Sequence, residues 1–238
     1  MSTVLTPQEK TVVPEPAEVW FSNPPLAETD PAAPAWYSEL QERSWKRFQE
    51  LPVPTRTNQN WRFADLKKIR FTDLAPATVA SDPAALVARA VAGRPETFAA
   101  HFVFANNRLI HSEIADLPVG AICLPLEEAL ATHGDLVRAH FLQESQSLGG
   151  EKFAALHGAA TLSGLFVHYP KGCRSEKTIL VHHFSGGENR AIFPHSLVVA
   201  EDQASVSVLD VFESIRDSEQ ILNVGMVDLF ADRGGKIQ

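Results

Sequence analysis

Apolar positions change their spacing once along the chain, and that change divides it in two. Over 36–51, Tyr37, Leu40, Ser44, Phe48 and Leu51 fall on one stripe at helical spacing. Glu39 and Glu42 stand early and Lys46 and Arg47 late, which suits the helix dipole, and Pro52 and Pro54 end the run. A second helix is predicted over 82–93, with Asp82 as its cap, Pro83 in the first position and Gly93 just past the end. Its buried stripe is Leu86, Val87, Ala90 and Val91. Residues 101–105 and 108–111 read as a hairpin across Asn106-Asn107, because asparagine tolerates the positive φ of a type I′ turn. A short strand at 121–124, a helix over 126–142 interrupted near Gly134, and a helix over 151–160 complete an α+β first half.

After Gly164 the helical period disappears. Strand-like runs occupy 165–169, 178–184, 191–200, 205–212, 221–230 and 236–238, separated by turn-forming pieces such as Pro170-Lys-Gly172 and Asp232-Arg-Gly-Gly235. Leu209-Asp-Val-Phe212 echoes Val227-Asp-Leu-Phe230, so a faint repeat is present. Regular short strands fit a sandwich or a β-solenoid, and the periodicity leaves both open. Residues 1–35 carry prolines at 7, 14, 16, 24, 25, 31 and 34 and read as a flexible arm, with Trp20-Phe21 able to dock on the body.

Composition narrows the function. The net charge of −8, with no basic run denser than Lys67-Lys68 to Arg70, argues against nucleic acid. No apolar run approaches the roughly 20 residues that span a bilayer, and the first residues lack a signal-peptide pattern, so a soluble cytoplasmic protein without membrane contact is expected. Cys123 and Cys173 are the two cysteines and stand far apart, which excludes a disulfide framework and a four-thiolate site within one chain.

Several residues invite sharper chemistry. His168, His182, His183 and His195 are candidate ligands if neighbouring strands stack them. Strand alternation puts His195 on the face of Phe193, Leu197 and Val199 and turns His182 and His183 to opposite faces, so structural histidines are the expected reading. Cys173 sits in a turn beside Lys171 and Arg174, where a cation favours thiolate; Cys123, in an apolar run, reads as core. Ser185-Gly-Gly-Glu188 follows a strand, but no helical pattern follows it, so it is expected to be a turn rather than a phosphate loop. Asp210, Glu213, Asp217, Asp228 and Asp232 are the carboxylates that acid–base or calcium chemistry would need, and they read as solvated strand ends.

Longer stretches carry a family resemblance. Lys152-Phe-Ala-Ala-Leu156, Gly164-Leu-Phe-Val-His-Tyr-Pro-Lys-Gly172, His182-His-Phe-Ser-Gly-Gly187, Ala191-Ile-Phe-Pro-His-Ser-Leu-Val-Val-Ala200 and Val208-Leu-Asp-Val-Phe-Glu-Ser214 resemble, in order, the core of the SufB/SufD family of iron–sulfur cluster assembly proteins. Leu51-Pro-Val-Pro54 and Asn60-Trp-Arg-Phe-Ala-Asp-Leu66 are similar to the N-terminal signature of its SufD branch, and an N-terminal cysteine cluster of the SufB kind is absent. Family members usually have Asn where this chain has His157, and they continue well beyond Gln238, so the chain reads as an N-terminal portion without the family's C-terminal region.

The resemblance implies an α+β N-terminal domain over 36–155, then an all-β right-handed parallel β-helix, truncated, over 156–238. It implies a non-catalytic scaffold subunit that pairs with SufB and a SufC-type ATPase, with the cluster handled by the complex. No cofactor, catalytic residue or metal ligand is assigned to this chain, and no enzyme activity is expected. The open end of the β-helix should expose Val224, Val227 and Leu229 and invite a homodimer. The alternative is a β-helix carbohydrate-active lyase or hydrolase, which would need a carboxylate cluster.

Overall fold

The structure, a computed structural model, describes Phe21, residues 33–64, Leu66, and residues 74–78, 80–144 and 150–238. Most of the predicted arm over 1–35, Trp20 included, and the Lys67-Lys68 to Arg70 run lie outside the described residues. Phe21 is buried against Phe48, with ring centroids 6.4 Å apart.

Helix α1 (Ala35–Glu50) buries Tyr37, Leu40, Gln41 and Phe48, the stripe its spacing predicted. It runs antiparallel to α5 (Glu151–Ala160), and the pair is tied at both ends. Tyr37 Oη and Gln41 Nε2 donate to the Thr161 carbonyl at the end of α5, at 2.8 and 3.1 Å. At the other end the Lys152 ammonium donates to the carbonyls of Phe48 and Leu51, at 2.8 and 2.6 Å, and lies 4.2 Å from the Phe48 ring centre. A cation thus satisfies carbonyls that the C-terminus of α1 leaves without an intrahelical donor. Between the ties, a Cβ on Gly158 would meet Ser44 Oγ at 2.7 Å, which explains the small residue in the α1 stripe. Lys152→Met is expected to lower the unfolding free energy by about 2 kcal/mol, read by urea denaturation, since hydrogen bonds from charged donors contribute about that much. A loss under about 0.5 kcal/mol would show that the carbonyls find other donors.

Helix α2 (Pro83–Ala92) is capped as expected, Asp82 accepting the Ala85 N–H at 3.0 Å. Gly93 ends it at φ −93° instead of a left-handed turn, and Val91 is exposed. The helix contacts the sheet below through Leu86 and Ala90, one i,i+4 stripe, and the stripe that starts at Val87 turns away. Strands β2 (Ala100–Ala105) and β3 (Arg108–Ile114) form the hairpin, with Asn106 at φ 51° and Asn107 at φ 64°. Strand β4 (Ile122–Pro125) leads into α3 (Leu126–Thr132) and α4 (Gly134–His140), split where Gly134 suggested.

The remaining strands are β5 (Gly164–Tyr169), β6 (Arg174–Ser185), β7 (Arg190–Ile192), β8 (His195–Ala200), β9 (Ser205–Ser214), β10 (Ile221–Asn223), β11 (Met226–Ala231) and β12 (Lys236–Ile237). With β1 (Ala75–Pro76) they build three sheets, in the orders β1-β7-β10, β11-β8-β5-β4 and β12-β9-β6-β2-β3. Every pairing among β5–β12 is parallel, which removes the antiparallel sandwich. Gly164, His195 and Met226 are successive partners, each 31 residues after the last, and Ser205 pairs Lys236 at the same interval. One circuit of 31 residues, shortened to 29 past the register shift between Arg174 and Thr178 in the β6–β9 ladder, therefore visits all three sheets in turn. Strands of the first half extend two of them: β2 pairs β6 in parallel and β4 pairs β5 antiparallel.

Two predicted strands are broken. The run 191–200 becomes β7 and β8 around Phe193-Pro194, and 221–230 becomes β10 and β11 around Val224-Gly225. Proline cannot donate to a ladder, and Gly225 lies on it one circuit later, where a Cβ would sit 3.4 Å from Pro194 Cγ. The echo between Leu209–Phe212 and Val227–Phe230 is not a stacked pair either. Asp210 pairs Val181 and Asp228 pairs Leu197, on different sheets.

The interior between the two larger sheets holds Phe102, Phe104, Leu165, Val167, Ile179, Val181, Val198 and Val206. Helices α1, α3 and α4 cover the outer face of β5 and β8, where Tyr37, Leu130 and Phe141 pack on Phe166, Leu197 and Val199.

Candidate functional site

Alternation along the strands sorts the histidines as the sequence implied. His183 turns inward, its ring stacked between Phe104 and Phe212, with centroids 5.3 and 4.7 Å away. There its Nε2 lies 3.4 Å from Asp210 Oδ1, and Ser196 Oγ donates to Asp210 Oδ2 at 2.9 Å. Asp210 is therefore an inward carboxylate in the coil, not a solvated strand end. His182 turns outward, into a group that the sequence did not reveal. Arg94 donates to His101 Nδ1 at 3.3 Å and to Glu113 at 2.6 Å, so His101 Nε2 donates to His182 Nδ1 at 3.0 Å. Burial, with His182 and then Arg94 adding to it, pushes His101 down to about 4, and burial lowers His182 as well. His101 shares its strand face with Val103 and Ala105, a signal for burial, but its partner stands 81 positions away and no local pattern names it.

On the outer face of β5, His168 Nε2 meets Glu201 Oε1 at 3.0 Å, and Glu201 Oε2 accepts the Lys171 N–H at 2.8 Å. Those two bonds hold the Glu201 carboxyl below its usual range. His195 shares the face of Leu197 and Val199, as expected, while Phe193 is separated from it by the corner at Pro194. His195 Nδ1 is 3.0 Å from His157 Nε2, and His195 Nε2 is 3.4 Å from Asp228 Oδ2. His157 Nδ1 donates to the Val224 carbonyl at 2.7 Å, and Asp228 accepts the Leu142 N–H at 2.7 Å. Burial drives His157 down to about 3. Burial would raise Asp228, but His195 and the Leu142 N–H outweigh it and hold the carboxyl below its ordinary value. The sequence marked His157 only as a departure from a pattern, because its role depends on β8 and β11.

The other candidates separate. Cys123 is buried in the interior and Cys173 packs at its rim; burial raises both thiols. The cations beside Cys173 therefore do not make it a thiolate, and Arg174 Nε is engaged by the Gln203 carbonyl. The N–H groups of Gly186 and Gly187 are taken by Asn106 Oδ1 and Glu219 Oε2, at 2.8 and 2.7 Å, so the glycine loop already has its acceptors. Glu213 pairs with Arg89, and Asp217 and Asp232 are exposed on separate turns. Among the described residues no group of three His, Cys, Asp or Glu side chains is placed to hold a metal ion. None of their helices is long and apolar enough to cross a membrane.

Strands β10, β11 and β12 stand last in the three sheets and form one edge of the described residues. Inward-facing Phe212, Val227 and Leu229 are 49%, 50% and 57% exposed at that edge, whereas Val224 is buried under the corner with Phe193 and Leu156. Val224 thus departs from the expected apolar end surface.

No protein-family model matches the chain. It is similar to the iron–sulfur cluster assembly protein SufD of Bacillus subtilis, 24% identical over 80% of this chain and 45% of that protein. It is similar to SufB of the same organism, 22% identical over 85% of this chain and 45% of that protein. A SufBD family assembly protein of Synechocystis is 30% identical over 47% of this chain and 23% of its own length. The chain spans less than half the length of these curated relatives.

Proposed function

Because the chain is a relative of the SufB/SufD-type iron–sulfur cluster assembly proteins, we propose that it works as a non-catalytic scaffold subunit of a cytoplasmic complex of that kind. In this reading it pairs with a SufB-like protein and a SufC-like ATPase, and its 164–238 circuits are coils of a right-handed parallel β-helix preceded by an α+β domain. The observation that carries the proposal is an ordered similarity over four-fifths of the chain, joined to a 31-residue parallel circuit.

The carbohydrate-active alternative needs two carboxylates flanking one bond. Asp210 and Asp228 lie on different sheets, and each is bound to its own histidine. The test of the scaffold role is co-purification of the tagged chain with SufB-like and SufC-like proteins from the same organism. Retention of the SufB-like protein is expected, and recovery of neither protein in any salt condition would overturn the reading.

Iron–sulfur chemistry is assigned to the complex. Anaerobic incubation of the chain with ferrous iron and sulfide is expected to give no more charge-transfer absorption than the Cys123→Ser/Cys173→Ser double variant. Burial keeps Cys123 protonated, and two separated thiols fall short of a cluster's usual ligand set. A stable chromophore that depends on either cysteine would contradict this.

A further inference from the structure

The hydrogen-bond chain through His157, His195 and Asp228 can be assigned proton by proton. The Val224 carbonyl only accepts, so His157 Nδ1 carries a hydrogen. Burial disfavours a charge on His157, so its Nε2 keeps a lone pair and His195 Nδ1 donates to it. His195 Nε2 is left facing Asp228 Oδ2, an oxygen that already accepts the Leu142 N–H. Two lone pairs facing each other in a buried site would repel, so one proton lies between His195 Nε2 and Asp228. All three side chains are buried, at 0%, 0% and 6% exposure.

The anchors of this chain are separate parts of the fold. Val224 and Asp228 belong to the circuit of β10 and β11, His195 to the circuit before it, His157 to α5, and Leu142 to the turn after α4. We propose that Asp228, His195 and His157 form a one-proton clasp that fastens the β10–β11 circuit to the helical cover and releases it when a second proton enters. The ring nitrogen that still carries an accepting lone pair is His157 Nε2, and a second proton there opposes the hydrogen on His195 Nδ1. The bond between α5 and β8 cannot persist with both nitrogens protonated.

Other ionisable groups stand around the clasp without joining it. From α1 comes Tyr37, whose hydroxyl is occupied by Thr161 and which Glu127 of α3 also influences. From α4 comes His140, packed edge-on against Phe230 of β11, and from β5 comes His168, bonded to Glu201. The groups that act on His157 are His195 and Asp228. Its buried ring resists protonation down to about 3, so the closed form excludes the second proton while the open form takes it up near the usual histidine value.

The test is amide hydrogen exchange of the whole chain between pH 7.5 and 5, corrected for intrinsic rates, in the native protein and in His157→Asn. Protection over 221–231 is expected to fall by up to about tenfold for each pH unit below about 6.5 in the native chain. In His157→Asn it should vary less than about twofold over the same range, because the titrating group is gone. Equal pH slopes in the two proteins would overturn the clasp. If His157→Asn does not fold, imidazole nitrogen shifts of the native chain decide. A neutral His157 with its hydrogen on Nδ1 is expected at pH 7 and at pH 5, and hydrogen on Nε2 at either pH would refute the assignment.

Discussion

Gly164→Ala is expected to destroy the fold or to lower its unfolding free energy by more than about 3 kcal/mol, the upper end of what overpacking costs. Gly164 opens β5 and pairs with His195, the first residue of β8. A Cβ at this position would lie 1.7 Å from the His195 carbonyl oxygen, 2.6 Å from its carbonyl carbon and 2.9 Å from its nitrogen. Those are backbone atoms of a paired strand, so no rotamer change relieves the overlap. The two strands must separate where β8 also pairs with β11 and where His195 enters the clasp. Elsewhere the addition is harmless: Gly172, at φ 74°, has nothing within 4 Å of its Cβ position. Gly172→Ala therefore pays only the cost of a left-handed alanine, about 1 kcal/mol. Urea denaturation of the two variants checks the contrast. Equal losses would show that the approach of β5 to β8 is not as tight as described.

Local physics made much of the fold readable. The stripe of α1, the Asp82 cap of α2, the two asparagines of the hairpin and the limits of α5 all depend on residues within one or two turns of each other. The inward and outward turns of His183 and His182 follow from the period of two in a strand, and that too was legible. What was hidden depends on the 31-residue circuit. The run Ala191 to Ala200 is apolar on both sides of Pro194-His195-Ser196, so hydrophobicity alone does not mark the corner at Pro194. Its meaning comes from Gly225, one circuit on. The echo of Asp210 and Asp228 pointed to a repeat of the wrong length, since both aspartates recur for a different reason: each has a histidine to receive. Asp210 meets His183, and Asp228 meets His195, from opposite sides of the sheets.

The site was legible in part for the same reason. Histidines could be assigned to faces but not to partners. His101 meets His182 across 81 residues, and His157 meets His195 across 38. In both pairs one imidazole donates and the other accepts, an arrangement that requires at least one neutral ring. A metal reading would have required three convergent lone pairs. Here His101–His182 and His157–His195 bond to each other, so these buried histidines act as hydrogen-bonding cross-links between distant segments.

Acidification is expected to destabilise the chain before its carboxylates titrate. Burial lowers His157 to about 3 and His101 to about 4, and it lowers His182 in the same direction. In each case the folded value lies below the unfolded one near 6.5, so the unfolded chain binds the proton first. The stability these rings contribute is complete above about 6.5 and is lost as pH falls toward their folded values. For His157 at pH 5 the gap is about 1.5 pH units, or about 2 kcal/mol. His101 and His182 add to that loss, since a charge on either ring faces the other and Arg94 nearby. The opposing effect is the fall of the net charge of −8 toward zero, which relieves self-repulsion on the surface. That relief is spread over exposed, salt-screened charges and is the smaller effect. Asp228 and Glu201 are held below the usual carboxylate range, so the stability they contribute as carboxylates is lost only at still lower pH, which steepens the decline there. Urea denaturation at pH 7.5, 6.5, 5.5 and 5.0 in 0.15 M salt should give a midpoint that falls at every step. His157→Asn should flatten the curve by about one proton's slope. A midpoint that holds or rises between pH 7.5 and 5.0 would mean that these histidines are not sealed from water, and the packing described around them would fall with that result.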